Sequence, residues 1–187
     1  FWALAKNKLC LFWALAKNKV LRRRRGFLLQ REDGIVIHKM KIVVIIPTYN
    51  EKENIGRMID VLEEDIFPKI NDFSKMKNNQ MEILVVDDKS PDGTAGVVQE
   101  KMKKYPNIAL SLGEKQGLGA AYKRGMKYAM ASMGAEVVIE FDADFQHDPK
   151  YIIDLVKKFD EGYDYVVGSR FVKGGSIPEN WSFYRKF

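Results

Sequence analysis

The chain has 187 residues, 46% hydrophobic and 30% charged, with 31 Lys plus Arg against 25 Asp plus Glu and a formal charge of +6. That is ordinary globular composition with length enough for one domain and a substantial core, so wholesale disorder and fibrous repeats are excluded. The positive charge sits at one end: residues 1–39 hold ten Lys and Arg against Glu32 and Asp33, a net of +8, whereas residues 40–187 carry 21 against 23, a net of −2. The basic pI of about 9.2 therefore describes a tail, and no nucleic-acid partner is expected on that ground.

The tail is unusual in its own right. FWALAKNK at residues 1–8 recurs unchanged at 12–19, a spacing of 11 that is close to three helical turns. A surface helix aligning Trp2 with Trp13 ahead of Arg22–Arg25 would suit an anionic membrane. At 100° per residue, however, Lys6 and Lys17 fall opposite Lys8 and Lys19, and no broad apolar face survives. Residues 1–39 read better as a basic leader outside the core, with Met40 as the natural start of the domain spanning 40–187. Cys10 has neither a disulfide partner nor metal-ligand spacing. His38 and His147 are too far apart to suggest a shared site. No apolar run approaches the ~18 residues of a membrane span.

From Met40 onward, strands and helices alternate. Lys41–Ile46 is a β-branched run ended by Pro47, as expected of a buried parallel strand. Asn50 with Glu53 resembles a capping box opening a helix through about Glu64. Glu82–Asp87 is a second strand, followed by the turn SPDGT, in which Thr94 is placed to cap a helix running to about Lys104. Ile108–Leu112 is a third strand. Gly117–Met133 is a helix with Leu118, Ala121, Tyr122, Met126 and Tyr128 or Ala129 as its apolar face. Val137–Phe141, a helix over Tyr151–Phe159, and Tyr165–Ser169 complete the pattern. Five strands alternating with four helices predict an open, mostly parallel α/β sheet with flanking helices.

Ligands of such sheets bind beyond the carboxyl ends of the strands. Those ends carry Pro47, Tyr49, Asn50 and Glu51; Asp87 and Asp88; Asp142, Asp144 and Gln146; and Arg170. In an extended segment Asp142 and Asp144 would face the same side. Paired carboxylates of this kind suit Mg²⁺ or Mn²⁺ on a diphosphate, with Gln146 as a further oxygen donor. Of Asp87 and Asp88, which point to opposite faces, one is free to cap the turn at Ser90. Arg170 is suited to clamping a phosphate. Gly117-Leu118-Gly119 lacks the third glycine of a dinucleotide fingerprint and follows the wrong strand, and no P-loop motif is present. His147 reads as a supporting or solvent-facing residue.

Taken together, IPTYNEKENI, VVDDKSPDGT, GLGAAYKRGMKYA, FDADFQHDP and VVGSRFVKGGSI resemble family 2 glycosyltransferases of the Rossmann-like GT-A fold, most of all the dolichyl-phosphate (polyprenyl-phosphate) mannosyltransferases. The resemblance covers Met40 to Phe187 with the motifs in order. It implies that Pro47, Tyr49 and Glu51 contact the donor nucleotide and that Val86 and Asp88 hold its base and ribose. It places Asp142, Ala143 and Asp144 against the diphosphate, with Asp142, Asp144 and Gln146 on a Mg²⁺ or Mn²⁺ ion. Asp144 and Arg170 would be the catalytic pair, Arg170 reaching the donor diphosphate or the acceptor phosphate. The implied reaction is inverting transfer of mannose from GDP-mannose to dolichyl or polyprenyl phosphate at the cytoplasmic face of a membrane. Alternatives are a related transferase using UDP-glucose or another nucleotide sugar, and a nucleotide-binding fragment without activity. Relatives continue beyond the position of Phe187, so the C-terminal part of the domain is expected to be missing.

Overall fold

The computed structural model describes residues 11–14, 40–73 and 79–169. Strand β1 is Leu11–Ala14, β2 Lys41–Thr48, β3 Gln80–Asp87, β4 Ile108–Leu112, β5 Val137–Glu140 and β6 Tyr165–Val167. They form one six-stranded sheet in the order β4-β3-β2-β5-β1-β6. β2 pairs in parallel with β3 and β5, and β3 in parallel with β4. β1 runs antiparallel to both β5 and β6. The parallel strands expected from the apolar runs are thus all present. The addition is β1, four residues of the leader that pair into the sheet.

Helix α1 (Lys52–Val61) continues through a π-helical turn, Leu62–Ile66, into α2 (Phe67–Phe73). α3 spans Thr94–Lys104, α4 Leu118–Ala131 and α5 Tyr151–Asp160. Strands β2, β3 and β5 are buried on both faces, and alternate residues divide the core in two. Ile42, Val44 and Ile46 with Ile83, Val85 and Ile139 face α1, α2, α3 and α5. Val43, Ile45, Leu84, Val86 and Val138 face α4.

Two local expectations are corrected. Asn50 does not cap α1. It adopts a left-handed conformation at φ 59°, the N-cap is Glu51, and no side chain caps the helix. Thr94 does not cap α3 either, since Gly93, at φ 90°, occupies that position. Instead the Asn50 backbone N–H and the Thr94 hydroxyl join two loops, as described below.

The apolar face of α4 largely follows its periodicity, with Ala121 and Ala129 buried and Tyr122 and Met126 packed against the same cluster. Leu118 and Tyr128 are exposed, and the buried stripe is Ala121, Gly125 and Ala129. Small residues at this spacing let the helix sit close against the sheet. A Cβ on Gly125 would lie 2.6 Å from Ile45 Cγ2 and 2.9 Å from Val86 Cγ2. Gly125→Ala is therefore expected to destabilise the chain by about 1–3 kcal/mol through overpacking. A urea melt checks this; an unchanged midpoint would contradict the close packing.

Candidate donor-binding site

The carboxyl ends of β2, β3 and β5 lie side by side, and each is followed by a non-glycine residue in the left-handed region. These are Asn50 (φ 59°), Lys89 (φ 51°) and Phe145 (φ 53°), the only such residues among those described. Asparagine tolerates this conformation, but for phenylalanine it is an outlier that its surroundings must hold in place. Phe145 packs against the core, with Arg57 stacked 4.8 Å from its ring centre. Left-handed backbone at three adjacent strand ends, strained at Phe145, makes this rim the candidate functional edge of the sheet.

The β2 and β3 loops are tied together through Asp87, which is fully buried. Its carboxyl accepts bonds from Thr48 Oγ1 at 3.0 Å, Ser90 N at 2.9 Å and Ser90 Oγ at 2.5 Å. Ser90 Oγ in turn accepts the Asn50 N–H at 3.0 Å. A second lace lies beside it. Asp92 accepts from Lys52 N, Thr94 N and Thr94 Oγ1, and Thr94 Oγ1 accepts the Glu51 N–H. The bond from Thr94 holds the Asp92 carboxyl below the usual carboxylate range. Of the two adjacent acids, Asp87 is therefore the turn-former.

Asp88 faces elsewhere. It is 6% exposed and accepts a bond from Arg124 Nη2 of α4 at 2.5 Å. Val86 is fully buried under Gly125, and in the sheet it lies between Pro47 of β2 and Ser111 of β4. Pro47 is buried in β2, and Tyr49 is exposed with Lys115 Nζ 3.2 Å above its ring.

After β5 the chain is not extended, as the sequence suggested, but bends from Ala143 to His147. Ala143 is drawn into the core beside Phe141. Asp142 Oδ1 accepts the Tyr122 hydroxyl at 2.7 Å, and Asp142 Oδ2 lies 3.9 Å from His147 Nδ1. His147 is thus a supporting residue for Asp142. Asp144 Oδ1 accepts the Gln146 N–H at 2.9 Å. Burial pushes the Asp142 carboxyl above its usual range and the Asp144 charge adds to this, while Tyr122 and His147 act in the opposite sense. Glu140, buried two residues earlier, is pushed up to about 7 by burial and by Asp142.

This concentration of acids fits a divalent cation. Crowded, partly buried carboxylates gain most from a nearby positive charge. Asp144 Oδ2 has no hydrogen bond among the described residues, and Asp142 Oδ2 has only the long approach of His147. Among the described residues no group of three or more His, Cys, Asp or Glu side chains converges. Hard cations that hold phosphates commonly take only one or two protein carboxylates, the rest coming from phosphate and water. Asp142 and Asp144 would supply those two, and Gln146 stands beside them. Arg170 lies outside the described residues.

Two residues that the sequence did not single out for the site are Tyr122 and Arg124. Tyr122 was assigned to an apolar stripe, yet its hydroxyl reaches Asp142. Arg124 is an arginine one residue from the buried Gly125, and that position near the helix underside was the available signal.

This rim, on an open, mostly parallel sheet with helices on both faces, has the architecture of GT-A glycosyltransferases. Residues 43–186 match the family model for glycosyl transferase family 2, and the chain belongs to that family. Over 147 residues it is 42% identical to the dolichol-phosphate mannosyltransferase of Pyrococcus furiosus, covering 79% of this chain and 38% of that protein. It is 36% identical over 147 residues to the polyprenol monophosphomannose synthase of Mycolicibacterium smegmatis, covering 78% of this chain and 50% of that protein. The chain therefore spans half or less of the length of these relatives. Among solved structures, a mannosyltransferase of Pyrobaculum calidifontis in complex with GDP-Man and Mn²⁺ is 28% identical, with a TM-score of 0.42 over 57% of this chain and 28% of that one.

The buried Glu140 generates a pH prediction. Between pH 4.5 and about 7, the folded chain keeps a proton that the unfolded chain has released. Stability therefore falls as pH rises through that window and stays low above it. Glu140→Gln should be about 2 kcal/mol more stable than the parent near pH 8 and little different near pH 4.5. Urea unfolding at the two pH values checks this, and an equal effect at both would contradict it.

Proposed function

We propose that this chain carries the donor site of a metal-dependent, inverting mannosyltransferase that moves mannose from GDP-mannose to a polyprenyl phosphate. The observation that carries the reading is the placement of Asp88 beyond β3 and the Asp142–Asp144 pair beyond β5, the two parallel strands that flank β2, in a chain 42% identical to a dolichol-phosphate mannosyltransferase. In this reading Pro47, Tyr49 and Glu51 line the nucleoside end, and Val86 and Asp88 hold base and ribose. Asp142, Ala143 and Asp144 lie against the diphosphate. Asp142, Asp144 and Gln146 would hold Mg²⁺ or Mn²⁺, which when bound neutralises the negative charge that develops on the departing diphosphate.

The chain's own groups set up the rest. The laced β2 and β3 loops fix the nucleoside end before ligand arrives, which lowers the ordering cost of binding. Asp88 is held in one orientation and so can accept a hydrogen bond from a ribose hydroxyl without rearranging. An acceptor phosphate has a second pKa of about 6 and is largely ionised at neutral pH. It needs no strong general base, in keeping with a rim built from carboxylates. Arg170, just after β6, is assigned to align the acceptor or donor phosphate. Such an acceptor places the working enzyme at a membrane surface, on the cytoplasmic side where nucleotide sugars are available. Among the described residues no helix is long and apolar enough to cross a membrane.

The test is ligand-dependent melting of the purified chain. GDP-mannose with Mn²⁺ is expected to raise the melting temperature by several degrees, and UDP-glucose with Mn²⁺ to leave it nearly unchanged. Asp144→Ala should abolish the Mn²⁺-dependent part of the rise while the ligand-free melt stays within about 1 kcal/mol of the parent. An equal response to UDP-glucose would favour another nucleotide sugar, and a full Mn²⁺ response in Asp144→Ala would contradict the metal assignment.

A further inference from the structure

We infer that helix α4 is the positioning element of the donor site, holding Asp88 through Arg124 and Asp142 through Tyr122. The inference rests on the nucleotide-sugar reading above and adds two residues that act through others.

The geometry begins at Gly125. Its missing side chain lets α4 press onto Ile45 of β2 and Val86 of β3, which fixes which side of the helix faces the sheet. Residues advance about 100° around a helix. With Gly125 facing the sheet, Tyr122 leaves about 60° to one side and Arg124 about 100° to the other. In the sheet β2 lies between β3 and β5. One side chain therefore reaches Asp142 after β5, and the other reaches Asp88 after β3. A single helix thus grips the acids at both ends of the proposed cleft.

Each grip has a feature that plain packing does not explain. The Arg124 guanidinium crosses Gly113, where any side chain would collide with it. Its Nε is buried and lacks a hydrogen-bond partner among the described residues. The side chain leaves one donor unsatisfied in order to bring Nη2 to Asp88, so its path is dictated by that carboxylate. Tyr122 donates to the one Asp142 oxygen that His147 does not face. This fixes the carboxylate's rotation and leaves Oδ2 for a cation, as groups behind metal ligands commonly do.

The two grips predict different losses. Isothermal titration of GDP into the 187-residue chain, with and without Mn²⁺, separates them. Arg124→Gln should weaken GDP binding about tenfold in both conditions, with Arg124→Lys recovering part of the loss. Arg124→Gln combined with Asp88→Asn should bind no more weakly than the worse single variant, because both remove the same interaction. Tyr122→Phe, which deletes one hydroxyl, should leave metal-free GDP binding unchanged and reduce the Mn²⁺-dependent gain about tenfold.

Circular dichroism checks that each variant is folded. If Arg124→Gln fails to fold, Asp88→Asn and Tyr122→Phe still carry the test. Wild-type affinity in all variants, or equal losses with and without Mn²⁺ for Tyr122→Phe, would overturn the inference while leaving the nucleotide reading intact. A parent chain that binds no GDP in either condition would overturn both.

Discussion

A carboxyl group with no exposure must find its hydrogen-bond donors inside the protein, and Asp87 finds three at the point where two strands end. An uncompensated buried carboxylate would cost several kcal/mol, so Thr48, Ser90 and, through Ser90, Asn50 are committed to one arrangement. That arrangement sets the path of both loops. It turns Asn50 and Lys89 through left-handed backbone and sends Asp88 away from Asp87 toward α4. The second lace around Asp92 and Thr94 repeats the connection one turn further out. The β2–β3 end of the rim is therefore rigid because its polar groups are mutually satisfied before any ligand enters.

The other end of the rim is arranged on the opposite principle. Glu140, Asp142 and Asp144 bring acidic groups together where burial already disfavours charge. Tyr122 and His147 offset part of this, and the remainder is an electrostatic demand that a cation would meet. A preorganised β2–β3 end beside an acidic β5 end is the arrangement on which the proposed nucleotide-sugar site rests. Membership of glycosyl transferase family 2 gives that arrangement a chemical setting.

Much of the sheet was legible because its strands are apolar runs, largely β-branched in β2 and β5, which are buried on both faces. Lys41–Ile46, Glu82–Asp87, Ile108–Leu112 and Val137–Phe141 all lie within a residue or two of the observed strands. The motif residues of the rim were legible for the same reason: they are the first polar groups after those runs. Side-chain commitments were less so. Asn50 and Thr94 carry capping chemistry, yet each joins a loop-to-loop lace, a tertiary choice that local pattern does not encode. Asp142 and Asp144 alternate as in a strand, but Ala143 is pulled into the core and the segment bends. The periodic face of α4 holds for Ala121, Tyr122, Met126 and Ala129, but the closest contact with the sheet is made where a side chain is absent, at Gly125. Periodicity counts apolar residues and is blind to a glycine that brings the backbone close. The pairing of Leu11–Ala14 with β5 and β6 had no signal in the repeated leader.

The central claim is that Asp142 and Asp144 face a cation on a nucleotide diphosphate at the β5 end of the rim. Anomalous diffraction at the manganese edge from crystals grown with GDP and Mn²⁺ tests it most directly. The account predicts one strong peak within bonding distance of both carboxylates, about 2.0–2.2 Å from their oxygens, with GDP extending from it toward Asp88. A peak elsewhere, or bound GDP whose diphosphate lies away from Asp142 and Asp144, would contradict it.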